Sequence, residues 1–384
     1  MSIMRSERFA AILLIAAAGL ALVLANSPAG SVLVSIRDRQ LPVPWLGVDL
    51  SVGGWVKDGL LAIFFFLAAI ELRHELTSGE LDSPRKALVP TIAAVGGVIV
   101  PAVIFLLVAH DPQLAAGWPI PTATDVAFAL GVLAIVGRSL PARIRALLLA
   151  LAVIDDLIAI VIIAAFFTAD LNPLPLLTAV PVVLVFGWLS IRLGTQEGRR
   201  SVPLVAALLP LGLLTWLLVF YSGIHPTIAG VALGLIMAPR GAARVRTALE
   251  PLSNGIVLPL FAFVAALLVI PQVGVGDLSP VFWAIVIALP VGKLIGISAG
   301  GAIASALSPH GSGKIPFGDL LVVAGLGGIG FTVSLLMNEL AYEGDRAIAV
   351  EGTLAVLVAS VVSVAIGGVI GAVRSAHYRR QVAS

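Results

Sequence analysis

Residues 144–168 read IRALLLALAVIDDLIAIVIIAAFFT. The run is long enough to cross a bilayer, for which about 20 apolar residues suffice. Near its centre stand two consecutive acids, Asp155 and Asp156. On an insertion scale a charge at the middle of a spanning helix costs roughly 2.5–3.5 kcal/mol. A helix that carries two therefore requires pairing, hydration or a function for them. Consecutive residues lie about 100° apart around a helix, so the two carboxylates cannot point the same way but can border one polar cavity.

The rest of the chain agrees with a bilayer as solvent. Of its 384 residues 59% are hydrophobic and 11% charged, with a mean hydropathy of +1.10, whereas soluble domains run near 25% charged. Twelve apolar runs fall at about 9–25, 54–72, 87–109, 118–137, 144–168, 174–191, 202–220, 224–238, 249–270, 281–307, 317–341 and 348–373. The expected fold is an all-α polytopic membrane protein of about 12 spans, forming a single integral-membrane domain over 1–384. The first run follows Arg5 and Arg8 and is read as a retained span, not a cleaved signal. If the N-terminus is cytoplasmic, eighteen of the 23 Lys and Arg collect on the cytoplasmic side. Arg37, Arg39, Lys57 and Arg346 face the other side, and Lys293 belongs to neither. That bias puts both termini in the cytoplasm. Residues 33–50 are too polar to cross and alternate around Arg37-Asp38-Arg39, which predicts a small external β-hairpin between spans 1 and 2. The absence of cysteine excludes disulfides, thiol nucleophiles and Cys-based metal centres. No cofactor and no nucleic-acid partner is expected.

Two runs are not smooth helices. The fourth carries Pro119 and Pro121 ahead of Thr122-Ala123-Thr124-Asp125, and the eleventh carries Gly325, Gly327, Gly328 and Gly330 before Phe331-Thr332. Missing amide donors and helix-breaking glycines at those places predict interrupted helices. Each is the middle member of a three-span group, 3–5 or 10–12. The groups are offset by an odd number of spans, which predicts inverted repeats over about 87–168 and 281–373, with the remaining spans as scaffold. Interrupted helices at matching positions of inverted halves point to a transport site near the bilayer midplane.

Asp125, Asp155, Asp156 and the lone cation Lys293 are the charges set inside apolar sequence. Mutual repulsion of adjacent carboxylates in a partly dry site favours a proton held by the pair, and a hard cation such as Na+ seeks oxygen ligands. Carboxylates that hold either ion, but not both, exchange them when exposed to each side in turn. Asp125 is also placed to cap a half-helix resuming at Val126, and Lys293 to neutralise the acids or carry a proton. At the span ends Glu71, Glu75 and Glu250 read most simply as a hydrated face, and His225 as an interfacial residue. No enzymatic residues are assigned. Two rivals remain: a Na+-coupled organic-anion symporter, with half-helix N-termini holding a carboxylate, and an intramembrane aspartyl protease.

Five ordered motifs carry a resemblance: Phe64-Phe65-Phe66-Leu67 leading to Ile70-Glu71-Leu72-Arg73-His74-Glu75-Leu76, Thr124-Asp125-Val126-Ala127-Phe128-Ala129-Leu130-Gly131, Ile154-Asp155-Asp156-Leu157, Val291-Gly292-Lys293, and Gly328-Ile329-Gly330-Phe331-Thr332. In order and spacing, over about 9–370, they resemble the NhaA family of bacterial Na+/H+ antiporters. The resemblance implies that Asp156 is the principal Na+-binding carboxylate, Asp155 its partner in exchange, Asp125 and Thr124 the supporting pair at the crossing, and Lys293 the paired lysine. It implies that Glu71, Glu75, Glu250 and His225 serve pH regulation. It further implies electrogenic exchange, Li+ transport beside Na+, a role in pH and sodium homeostasis, an inner-membrane location, and a homodimer held partly by the hairpin. Val264-Ala265-Ala266-Leu267 and Pro251 depart from the family pattern near the ninth span, which bears on regulation and not on the transport residues.

Overall fold

A computed structural model describes residues 7–79, 81–137, 139–168, 171–195, 202–270, 274–307 and 315–383. Arg5, Arg138, Arg199, Arg200 and Lys314, part of the cytoplasmic charge reading, lie outside the described residues, as does the side chain of Arg8.

Each apolar run becomes helix. Helix α1 (Glu7–Ala25) stops at Asn26, and the chain turns through 113° into α2 (Gly30–Asp38). The hairpin follows as β1 (Gln40–Val43) and β2 (Val48–Ser51), antiparallel with Gln40 opposite Ser51, its turn closed by Gly47 at φ 63°. The expected hairpin at 33–50 thus begins only at Gln40. The stretch before it is helical because Leu33, Val34 and Arg37 turn one face to the protein while Val32, Ser35 and Ile36 are exposed, a period of helix and not of strand.

Ser51 caps the short α3 (Val52–Gly54) by accepting from the Gly54 amide at 3.0 Å. The chain then passes through a π-helical turn at Trp55–Leu60 into α4 (Leu61–Ser78). Next come α5 (Pro84–Val108), α6 (Val126–Val136), α7 (Ala142–Phe166), α8 (Pro173–Thr195), α9 (Val202–Tyr221) and α10 (Thr227–Ile236). Helix α11 (Pro239–Leu252) runs through a π-helical turn into α12 (Leu258–Ala265), and α13 (Pro280–Ile287) runs through another at Ala288–Gly292 into α14 (Lys293–Leu307). The chain ends in α15 (Phe317–Gly327), α16 (Phe331–Ala341) and α17 (Arg346–Ala383).

Among the described residues eight helical stretches are long and apolar enough to cross a membrane, or ten if the bent pairs α1–α2 and α15–α16 each count as one. The second and eighth apolar runs fall outside that set. Helix α4 ends in Glu71, Arg73, His74 and Glu75, and α10 has ten residues, about 15 Å of helix against a hydrocarbon core of about 30 Å. The ninth run starts earlier than its hydropathy indicates, because the arginine-bearing α11 is polar yet continuous with α12.

Both expected interruptions are present. Pro119 and Pro121 confine the chain before α6 to a 3-10 turn at Ile120–Thr122 and an extended Ala123, and α15 meets α16 at a bend of 48°. Helix α14 crosses α5 backbone to backbone: a Cβ on Gly96 would strike the Gly296 carbonyl, one on Gly296 would strike the Gly96 carbonyl, and one on Gly300 would lie 2.5 Å from the Ile92 carbonyl. Small residues at such crossings let helices approach where lipid supplies no hydrophobic drive. The crossing seats Lys293, at the start of α14, against Gly97 of α5.

Gly296→Val is expected to lower the melting temperature in detergent, at an overpacking cost of about 1–3 kcal/mol. Gly368→Ala, where an added Cβ meets nothing within 4 Å, is expected to leave it unchanged. Scanning fluorimetry of the two variants checks the contrast.

Candidate functional site

Asp155 and Asp156 lie on the inner face of α7, 1% and 7% exposed. Their environments differ sharply. The Oδ2 of Asp155 lies 2.5 Å from Lys293 Nζ, with both side chains fully enclosed, and accepts from Thr124 Oγ1 at 2.7 Å. The Thr124 hydroxyl is also 2.7 Å from the Gly327 carbonyl at the end of α15. It has one proton, so it donates to one of these oxygens at a time. Lys293 follows directly on the π-helical turn of α13–α14, a distortion frequent at functional sites.

Asp156 has no such partners. Among the described residues its Oδ1 is buried without a hydrogen bond, as is Oδ1 of Asp155. Asp155, Asp125 and Lys293 all act on it electrostatically. A buried carboxylate oxygen with no donor is costly. The arrangement offers a proton or a hard cation two carboxylate oxygens that no group of the described residues occupies.

Asp125 is the opposite case. It caps α6, its Oδ1 accepting from the Phe128 amide at 2.9 Å. Its Oδ2 accepts from the Thr332 hydroxyl at 2.8 Å and the Thr332 amide at 3.2 Å, so one carboxylate caps the N-termini of both α6 and α16. Its own amide donates to the Ile329 carbonyl at 2.6 Å. Negative charge at two helix N-termini is favourable, and every oxygen of Asp125 is engaged.

The family described as Na+/H+ antiporter 1 matches residues 1–370 of this chain. This chain belongs to that family. Among its relatives, "Na(+)/H(+) antiporter NhaA 2" of Clavibacter michiganensis subsp. michiganensis is 54% identical over 346 residues, 89% of this chain and 84% of the relative. "Na(+)/H(+) antiporter NhaA" of Tropheryma whipplei is 46% identical over 355 residues, 90% and 88% of the two chains. That of Thermobifida fusca is 42% identical over 392 residues, 98% and 94%. As a member of the family the protein is a Na+/H+-exchanging secondary transporter, integral and multi-pass in its membrane, and not an enzyme.

The antiporter's Asp125, Asp155, Asp156, Thr124 and Lys293 come together as described, and the other four expected residues lie elsewhere. Glu71 pairs with Arg246 of α11, and Glu75 and Glu250 lie within its electrostatic reach. His225 is not part of that group. It lies 3.3 Å from Asp58 through Nε2 and 2.7 Å from Thr227 Oγ1 through Nδ1. Asp58 precedes α4 and Glu71 is near its far end, about 20 Å along the helix at 1.5 Å per residue.

Three further acids are enclosed that hydropathy alone does not mark as such. Asp58 and Glu75 are buried, and Asp319 is fully so. Asp319 is held by Arg143 at 2.8 Å, Arg374 at 2.7 Å and the Tyr378 hydroxyl at 2.9 Å. Each sits near the end of an apolar run, where hydropathy cannot tell a hydrated position from one closed by neighbouring helices. Thr332 was visible only as part of a motif.

Lys293→Ala leaves Asp155 as an uncompensated buried charge, which costs about 3–5 kcal/mol when one partner of such a pair is removed. The variant is expected to melt well below the parent, and Lys293→Ala combined with Asp155→Asn to recover much of the loss. Unchanged melting of the single variant would refute the pairing.

Proposed function

We propose that Asp156 is the group that Na+ and H+ occupy in turn, with Asp155 as the second cation ligand and Lys293 as the counter-charge that a second proton leaves. The observation that carries this is the asymmetry within the doublet: each acid has one bare buried Oδ1, but Asp155 is paired and hydrogen-bonded through Oδ2, whereas Asp156 has no ion-pair or hydrogen-bond partner among the described residues. Protonation neutralises Asp156. Na+ draws on both carboxylates, so Asp155 leaves Lys293, which then gives up its proton. Two protons depart for each Na+ bound, so each turnover moves one net charge. Protonated Asp156 with the ion pair is neutral, and the Na+ form carries one negative charge. Exchange is thus electrogenic, and Li+, a smaller hard cation, fits the same oxygen set.

The proposed architecture has twelve spans in one membrane domain. Spans 3–5 correspond to α5, the interrupted segment ending in α6, and α7. Spans 10–12 correspond to α13–α14, α15–α16 and α17. The two groups run as inverted repeats over about 87–168 and 281–373, and alternating access is rocking of this core against the remaining helices. We assign both termini to the cytoplasm and the protein to the bacterial inner membrane. The hairpin is assigned to the periplasmic side, contributing to a homodimer. Glu71, Glu75, Glu250 and His225 are proposed pH-response residues, divided between two places in the molecule. A symporter of organic anions is disfavoured because Asp125 already caps both half-helix N-termini that would hold a substrate carboxylate.

In everted vesicles with a pH-sensitive dye, Asp156→Asn is expected to abolish Na+-driven dequenching while melting no lower than the parent, since it removes an unpaired buried charge. Normal dequenching by that variant sinks the mechanism. Competition for one site also fixes a pH dependence. Over the range in which the site is protonated, the apparent KM for Na+ is expected to fall about tenfold per pH unit of rise for each competing proton, by mass action. A KM independent of pH over the whole active range is incompatible with a shared carboxylate.

A further inference from the structure

Beside the hairpin, α3, the π-helical turn that leads into α4, α12, the end of α16 and the start of α17 surround a cavity of about 420 Å3. Its walls carry Arg37, Asp38, Lys57, Glu339, Glu343 and Arg346. Two ion pairs stand in it. Deeper in, Lys57 Nζ lies 4.0 Å from Glu339 Oε2, the side chains 19% and 36% exposed. At the rim Arg346 donates to Asp38 Oδ2 at 3.0 Å, the side chains 71% and 44% exposed. Arg37 supports Asp38 at 2.7 Å, and Glu343 lies within electrostatic reach of Lys57.

Both pairs join the two groups of helices that alternating access moves against each other. Asp38 ends α2 and Lys57 precedes α4, among the remaining helices, whereas Glu339 is on α16 and Arg346 opens α17, in the proposed core. The polarity of the two pairs is opposite, so together they hold the two groups in one register. At the far ends of the same helices the ion pairs stay within one group: Glu71 with Arg246 joins α4 to α11, and Asp319 joins α15 to α7 and α17. Pairs as exposed as those in the cavity hold by about two- to fivefold each, enough to bias an equilibrium and little enough to break at every turnover. The polar cavity admits water, which hydrates the charges once they part. Glu339 stands seven residues beyond Thr332, about 10 Å along α16, on the helix whose first amide and hydroxyl hold Asp125. We propose that Lys57 with Glu339, and Asp38 with Arg346 at the rim, form a latch that holds the hairpin side of the antiporter closed and parts when the ion cluster opens to that side. Resting on the alternating-access reading, the latch adds to it the residues that set which side is closed.

The chain has no cysteine, so a single introduced Cys is its only thiol. Ala265→Cys places one in the cavity wall, at a residue 8% exposed, and Trp45→Cys places one at the hairpin turn, at a residue 84% exposed. Full-length protein in right-side-out membrane vesicles is treated with a membrane-impermeant methanethiosulfonate. The thiol of Ala265→Cys is expected to react slowly beside that of Trp45→Cys, and about two- to fivefold faster once Lys57→Gln is added. Glu339→Gln, which cuts the same pair from the other side, is expected to match it. Lys57→Glu is expected to be faster still, and Lys57→Glu combined with Glu339→Lys to return to the slow rate. Labelling needs no ion exchange, so the latch and the roles of Asp155 and Asp156 stand or fall separately. Rates that do not respond to Lys57→Gln and Lys57→Glu overturn the proposal, as does a charge swap that stays fast. Labelling of Ala265→Cys as rapid as that of Trp45→Cys with the latch residues intact overturns it too, since that side is then not closed. Absence of Trp45→Cys labelling overturns the outward placement of the hairpin and the latch with it.

Discussion

A helix that breaks inside a bilayer exposes backbone groups that lipid cannot hydrate, and this chain breaks two. The remedy is mutual. The Asp125 amide donates to the Ile329 carbonyl, the Thr332 amide and hydroxyl donate to Asp125, and Ser334 donates to the Ile120 carbonyl at 2.7 Å. Each interruption thus supplies what the other lacks, as backbone away from lipid must. The positive ends of α6 and α16 converge on one carboxylate, which sets the electrostatics beside which α7 places its acids.

Within that frame the doublet is split by geometry. Turned apart by the helix, Asp155 meets Lys293 and Thr124 while Asp156 meets no donor. Lys293 reaches Asp155 because three glycines let α14 lie directly on α5 and a π-helical turn precedes it. Without the close crossing the lysine would stand a side chain farther off. Structural packing of α5 on α14, which carry no acid of the cluster, therefore decides where the one buried cation meets the doublet. The Thr124 hydroxyl, shared between Asp155 and Gly327, links the state of the carboxylate to the end of α15.

Other charges hold the molecule together at a distance from the doublet. Asp319 gathers Arg143 from the start of α7 and Arg374 and Tyr378 from α17, fixing the entry of the broken helix against the helix of the doublet. Asp38 does similar work beside the hairpin, between Arg37 and Arg346. Arg346 leads into α17.

By itself the sequence determined the solvent, the class of fold, both helix breaks and the charges that must be accounted for, because these follow from local terms: hydropathy, proline and glycine geometry, and the cost of a carboxylate among apolar residues. It also determined that Asp125 caps α6, since a cap acts within three residues. Only the tertiary structure decided that the same carboxylate caps α16, that Lys293 takes Asp155 and leaves Asp156 bare, that His225 faces Asp58 far from Glu71, and that Asp319 is enclosed. Each of these joins residues remote in sequence, and for such pairs spacing carries no information until helices pack. The carboxylates were legible because their cost is local; which of them was left unpaired was not, because pairing is a property of neighbours.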